Sequence, residues 1–322
     1  MTQKKLSFPL ARRYDTELIL NGEVKIEGID LEITDSGRLP APLFREMATT
    51  LPYDIAEQAF SHYLIAKDQG KPLTAIPAFP SRFFPQIGFT VNRHSGIDGP
   101  ADLANKRIGV PSYAYNPAAW MRGILVQQYH MNLDGIAWVE EANDNFFPGL
   151  DHHWEKRAKI EKVNEQVIEV LRPEMTSSAL ESGRVDAVIA PGWGPALTAN
   201  TRRLFGDPYK EIAAYVSQTG VFPINTVIIL KEEAVAANPG LVPALMVAFR
   251  EARRRYNERA LAQDNGDHMG LQIGRLKELS VYPDSYGIEP NRAAIETIIG
   301  YCHDQGLIRR RFKVEELFAV TN

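Results

Sequence analysis

Short apolar runs alternate with helix-period amphipathic runs from one end of the chain to the other, and this alternation constrains the fold more than any other feature. Residues 106–125, KRIGVPSYAYNPAAWMRGIL, hold one complete unit. Ile108 to Val110 read as a buried strand, and the turn Pro-Ser-Tyr-Ala-Tyr-Asn follows. A helix restarts at Pro117, with Asn116 in the capping position. Trp120, Met121, Ile124, Leu125 and Tyr129 recur at intervals of three and four, giving one apolar face. Free N–H groups at such a helix start attract anions, and Ser112, Tyr113 and Tyr115 add hydroxyls. The turn Ser112–Asn116 is therefore a candidate ligand-binding position.

The same reading predicts strands at 6–11, 29–33, 87–92, 107–110, 136–139, 185–190, 212–216 and 224–230. It predicts helices at 41–50, 55–69, 117–130, 175–183, 193–203, 239–261, 290–305 and 314–320. Strands and helices that alternate in this way make an α/β protein with mostly parallel sheets. Two segments read as crossings between lobes: QIGFTVNR (86–93), and VFPINTVIIL (221–230) after a full set of strand-helix units. If both are hinge strands, residues 1–90 and 221–322 form one lobe and residues 91–220 an inserted second lobe. That is a two-lobed clamshell, each lobe a mostly parallel sheet flanked by helices. Its ligand is expected in the cleft, beyond the carboxyl ends of the strands.

Composition narrows the function. The chain has 322 residues and a net charge of −4, so no nucleic-acid partner is implied. One cysteine, Cys302, excludes an intramolecular disulfide framework and a cysteine-based zinc cluster. No apolar run approaches membrane-spanning length, so no membrane partner is expected. The first residues lack a signal peptide's apolar stretch, which predicts a cytoplasmic location, or a periplasmic one if a leader has been removed. His152 and His153 are adjacent and would point about 100° apart on a helix, so with Asp151 they make only a weak metal signal. No glycine-rich phosphate loop, dinucleotide fingerprint, zinc-protease motif or nucleophile elbow is present.

Several segments carry a family resemblance. GEVKIEGIDLEI, IPAFPSRFF, SGIDGPADLANKRIGVPSY, WMRGIL, SGRVDAVIA and GVFPI occur in this order, and the chain resembles the 4,5-dihydroxyphthalate decarboxylase-like family over about residues 6 to 320. DLANKRIGVP and SGRVDAVIA are shared broadly by solute-binding proteins, whereas FPSRFF and WMRGIL are more particular to the decarboxylase branch. The resemblance implies the type 2 periplasmic-binding-protein fold, the clamshell reached above. It also implies a decarboxylase acting on a hydroxylated aromatic carboxylic acid, a small aromatic carboxylate as ligand, and no organic cofactor. The rival expectation is a non-catalytic solute-binding protein for a small carboxylate or aromatic acid.

The chain departs from the family pattern at four positions. Thr16 follows Tyr14-Asp15 where the family has arginine. Pro85 and Gln86 stand where it has an Arg-His pair, and Thr226 stands where it has histidine. Arg82, in FPSRFF beside the first crossing, is the expected carboxylate anchor, since guanidinium grips a carboxylate through two parallel hydrogen bonds. Asn225 and Thr226 offer neutral hydrogen bonds, and Trp193 can stack on an aromatic ring. The proton donor is left among Asp15, Glu57 and His62. The carboxyls would act as acids raised by burial or as partners of Arg82, and His62 as an imidazole titrating near neutral pH. Arg122 lies deep in its helix and reads as structural.

Overall fold

The computed structural model describes residues 5–37, 41–142, 150–169, 176–190, 192, 194–262, 267–268 and 271–319. The chain opens with β1 (Leu6–Leu10), α1 (Thr16–Leu20), β2 (Leu31–Asp35), α2 (Ala41–Thr49), β3 (Ile55–Ala59), α3 (Phe60–Asp68) and β4 (Leu73–Ile76). It continues with β5 (Phe89–Asn92), β6 (Arg107–Gly109), α4 (Asn116–Tyr129), β7 (Ala137–Glu141), β8 (Ile160–Val163), α5 (Ser178–Glu181), β9 (Ala187–Ile189), β10 (Thr201–Arg203) and α6 (Pro208–Thr219). It closes with β11 (Thr226–Lys231), α7 (Glu232–Ala237), α8 (Leu241–Leu261), α9 (Ile273–Glu278) and α10 (Arg292–Asp304).

Two sheets organise these elements into two lobes. In the first, β11 lies between β3 and β4 and runs antiparallel to both. The parallel pair β1–β2 lies beside β3. The second sheet has the order β10-β5-β9-β6-β7-β8, with β9, β6, β7 and β8 parallel and β5 and β10 antiparallel to their neighbours. The chain leaves the first sheet after β4 and returns to it through β11. An isolated bridge between Arg82 and Ile224 joins the two crossings. Helix α10 packs on both α3 and α4 and so ties the two halves together.

Local chemistry explains both ends of α6. The Asp207 carboxylate caps α6 through Tyr209 N at 3.1 Å and Lys210 N at 3.4 Å, Pro208 occupies the first turn, and Gly220 ends the helix at φ 65°. Ile212, Tyr215 and Val216 form its buried face, which corrects the strand expected at 212–216: a spacing of three and four is helical. Of the helix expected at 193–203, the described residues 194–203 form none, and their end is β10. Residues 55–59, expected as the start of a helix, form β3 instead. Ala, Glu and Gln favour helix on their own. All five are nevertheless buried beside β1 and β11, and ladder pairing outweighs a local preference of a few tenths of a kcal/mol per residue. The helix expected at 314–320 is a single 3₁₀ turn, Val314–Glu316. α4 starts one residue earlier than expected, with Tyr115 at the cap and no side-chain cap bond.

One apolar core runs through both lobes, and a smaller cluster around Val139, Val167, Leu180 and Val188 lies against the second sheet. Among the described residues no helix is long and apolar enough to cross a membrane.

Candidate functional site

The carboxyl ends of β1, β3, β4 and β6 converge. After β1 the chain turns through 11–16, where Thr16 Oγ1 accepts from Arg13 N at 3.1 Å and donates to Ala11 O at 2.5 Å. Tyr14 takes φ 48°, a left-handed backbone, and its ring meets Tyr256 edge-on at 5.8 Å. Thr16 thus holds the turn together. The turn directs the Arg13 guanidinium onto Glu57 of β3, and Nη2 and Oε1 form an ion pair. Glu57 is fully buried and the Arg13 side chain is 14% exposed. Burial lowers the Arg13 pKa to about 10, so it stays charged at neutral pH. Arg13 Nη1 and Glu57 Oε2 have no hydrogen-bond partner among the described residues. Both atoms are buried, so the pair keeps one unpartnered donor and one unpartnered acceptor beneath the protein surface.

A second buried charge network lies behind it. The Tyr286 hydroxyl donates to Asp15 Oδ2 at 2.5 Å, and Arg253 Nε lies 3.2 Å from the same oxygen. Arg253 reaches Asp284 at 3.4 Å, and Arg82 Nε lies 3.3 Å from Asp284 Oδ2. Arg82 also donates to the Phe222 carbonyl at 3.1 Å and to the Asn291 side chain. Its guanidinium lies 5.4 Å from the Phe79 ring centre and 5.6 Å from that of Phe222. Burial raises the Asp15 pKa, opposed by Arg253 and the Tyr286 hydroxyl. Burial disfavours charge on Arg253, but Asp15 and Asp284 outweigh it and hold the guanidinium firmly protonated.

This geometry corrects two expectations. Arg82 is 2% exposed and committed to internal partners, so it is a strut between the loop after β4 and the C-terminal segments rather than an open carboxylate anchor. Asp15 pairs with Arg253 instead of Arg82 and is fully buried. His62 is a third correction. It packs edge-on to Phe44 at 6.2 Å, 2% exposed, and burial lowers its pKa to about 3. A neutral imidazole in that place has no proton to give near neutral pH.

The 112–116 turn divides into two halves. Tyr113 N donates to Glu140 Oε2 at 2.9 Å, Ala114 N to Ser112 Oγ at 3.3 Å, and Tyr115 N to Ser112 O at 3.0 Å. The Tyr113 amide thus already holds a carboxylate of the chain itself. The Tyr113 ring lies under Arg122, 3.8 Å from the guanidinium carbon, and Tyr113 O accepts from Arg122 Nη2 at 2.6 Å. Tyr113 therefore faces α4 and β7, and Arg122 is structural toward the cleft, as expected. Asn116 instead bridges the lobes. Its Oδ1 accepts from Ser61 N at 2.9 Å, and its Nδ2 donates to Ile224 O at 3.0 Å and to Asn225 Oδ1 at 3.2 Å. Asn225 Nδ2 reaches Ser81 Oγ at 3.3 Å, and Thr226 Oγ1 accepts from Ser81 N at 3.0 Å.

Asn116, Asn225 and Thr226 are thus brought together, but as a latch between the crossings rather than as a set of open groups. Arg13, Ser81, Tyr115 and Asn225 remain partly exposed at the strand ends. Gln86 is fully buried, and neither end of its amide has a hydrogen-bond partner among the described residues. Trp193 lies outside the described residues. No cluster able to hold a metal ion occurs among the described residues.

Sequence reasoning missed Arg13. The signal was present: a cation two residues before Asp15, in the first strand-helix turn, where an open α/β sheet holds its ligands. Its partner Glu57 was singled out, but the pairing spans 44 residues and only the fold reveals it.

Comparison with known proteins agrees with this architecture. Residues 25–153 match the family model described as NMT1/THI5 like. A 4,5-dihydroxyphthalate decarboxylase from Comamonas testosteroni is 28% identical, over 99% of this chain and 97% of that protein. One from Pseudomonas putida is 29% identical, over 59% of this chain and 72% of that protein. Among solved structures, the periplasmic aliphatic sulphonate binding protein SsuA from Escherichia coli superimposes with a TM-score of 0.53 at 13% identity, covering 98% of each chain. The ligand binding component of an ABC-type import system from Staphylococcus aureus gives 0.52 at 11% identity, over 99% and 97% of the two chains. At such identities the structures speak for the fold alone. The chain is thus similar in sequence to a 4,5-dihydroxyphthalate decarboxylase along almost its whole length, and its fold is a two-lobed periplasmic-binding-protein-like clamshell.

Proposed function

We propose that the protein is a carboxy-lyase that removes a carboxylate from a hydroxylated aromatic acid held between its lobes, without an organic cofactor. In this reading the lobe of residues 1–90 and 221–322 closes on that of residues 91–220. The observation that carries the proposal is the Arg13–Glu57 pair, whose Nη1 and Oε2 are buried and have no hydrogen-bond partner among the described residues. The name of a relative that matches the chain nearly end to end supports the reaction class. A substrate carboxylate takes Arg13 through its free donor and competes with Glu57 for the rest of the guanidinium. Glu57 is then a buried carboxyl deprived of its cation, and burial without a cation favours the protonated form. The step that anchors the substrate therefore also loads the proton donor. A ring hydroxyl para to the carboxylate pushes electrons toward the ring carbon. That carbon takes the proton from Glu57, the carbon–carboxylate bond breaks and carbon dioxide leaves. Solvent then returns the proton to Glu57. Positioned acid-base groups contribute about 10²–10⁴-fold in such steps, and the partly exposed Ser81 supplies a neutral hydrogen bond to a ring substituent.

A second reading, a solute-binding protein for a small aromatic acid, rests on a specific observation: Gln86 and Thr226 stand where the family resemblance has histidine. Carbon dioxide release from a panel of hydroxylated benzoates and phthalates, with and without chelator, separates the two. Wild-type turnover is expected. Glu57→Gln is expected to lower kcat by about 10²-fold or more while binding changes less, and Arg13→Gln to raise KM as well. Turnover untouched by Glu57→Gln would remove the carboxyl from the mechanism. Ligand-induced melting shifts without turnover of any acid would establish the binding protein instead.

A further inference from the structure

Arg122 Nη1 is buried and has no hydrogen-bond partner among the described residues. The other guanidinium nitrogens are fixed: Nε donates to Gln305 Oε1 at 2.7 Å and Nη2 to Tyr113 O at 2.6 Å. The group lies over the Tyr113 ring at 3.8 Å and 5.0 Å from that of Trp138. It forms part of the wall of a cavity of about 920 Å³ between α4, β7, the 156–159 segment and α10. That volume is the size of an ordinary small-molecule site.

Charge and polarity around the cavity are uneven. Lys156 and Arg157 are exposed at its edge and make no ion pair with a described residue, while Lys159 lies 3.8 Å from Glu161. Of the two acids lining it, Asp304 is already engaged by Arg311 at 2.6 Å, which leaves Asp134. Val126, 48% exposed, and the partly buried Met131 and Leu133 add an apolar wall. A buried donor, an unpaired cationic edge and an apolar wall together suit an anion attached to a flat apolar body.

We propose that this cavity is a second ligand site, separate from the Arg13–Glu57 site, for a small organic anion carrying a carboxylate or phosphate on an apolar ring. Arg122 holds the anionic group from within, Lys156 and Arg157 attract it, and Val126, Met131 and Leu133 cover the ring.

Phthalate, benzoate and inorganic phosphate are the probes, titrated calorimetrically into full-length Arg13→Gln/Glu57→Gln protein so that the cleft makes no contribution. One saturable site for a ring acid is expected. Its affinity should fall at least about tenfold in the same background carrying Lys156→Ala/Arg157→Ala. These two side chains are exposed, so the variant tests the site without disturbing the core. Arg122→Gln should abolish the binding. Should that variant fail to fold, the Lys156/Arg157 comparison decides alone. Binding of ring acids unchanged by the Lys156/Arg157 substitutions would overturn the proposal. So would no saturable binding of any probe up to about 50 mM, or binding of phosphate without either ring acid.

Discussion

At the scale of single residues, burial decides what each titratable group can do. Arg13 and Glu57 share a site in which one side chain is 14% exposed and the other fully buried, so their ion pair is little screened. Arg82 and Asp284, 3.3 Å apart, form a second, looser buried pair. His62 shows the cost of burying a base. Unfolded, its imidazole takes a proton near pH 6.5, whereas folded it stays neutral down to about pH 3. The unfolded chain therefore binds more protons between those values. The stability contribution is present above the unfolded pKa and is lost as pH falls toward the folded one. Going from pH 7 to pH 5 is expected to remove up to about 2 kcal/mol through this one group. Urea unfolding at both pH values should show His62→Leu losing correspondingly less than the wild type over that interval. An equal loss would mean that His62 is protonated in the folded protein.

At the scale of elements, close approach of helices sets the geometry of both proposed sites. Gly123 lets Tyr301 of α10 lie directly on α4, since a Cβ there would come within 2.1 Å of the Tyr301 ring. Tyr301 also meets Trp120 edge-on at 5.6 Å, and Trp120 Nε1 donates to Ile224 O at 2.8 Å. The α4–α10 contact thus continues into the latch of Asn116, Asn225 and Thr226. Gly123→Ala is expected to destabilise the protein by about 1–3 kcal/mol through overpacking, read as a lower denaturation midpoint. Tyr301→Ala in the same chain should cost less than it does alone, because it removes the clash. Additive losses would show that α10 moves aside freely. Elements whose pattern is carried by their own residues were readable in advance: α4, α8 and α10 by apolar spacing, β1, β6 and β9 by short apolar runs. β3 was not, because its residues favour helix and only burial beside β1 and β11 makes them a strand.

At the scale of the whole molecule, one apolar core includes Phe60 and Ile228 of the first sheet's lobe together with Trp120 and Ile189 of the second. Two sheets joined through a shared core are expected to unfold in one calorimetric transition, with equal calorimetric and van't Hoff enthalpies. Two resolved transitions would show that the lobes are independent. Periodicity and turn chemistry, read from the sequence alone, determined the alternating α/β pattern and the clamshell, because each is set by residues within a few positions of one another. Motif order carried the likeness to the decarboxylases. Which charges meet was decided only by tertiary structure. Arg13 finds Glu57 across 44 residues, Arg82 is taken by Asp284, and the Tyr113 amide by Glu140, 27 residues on. An ion pair needs nothing from the chain between its partners, so no local pattern records it, and Arg13 and Arg82 look alike until the fold gives each its carboxylate.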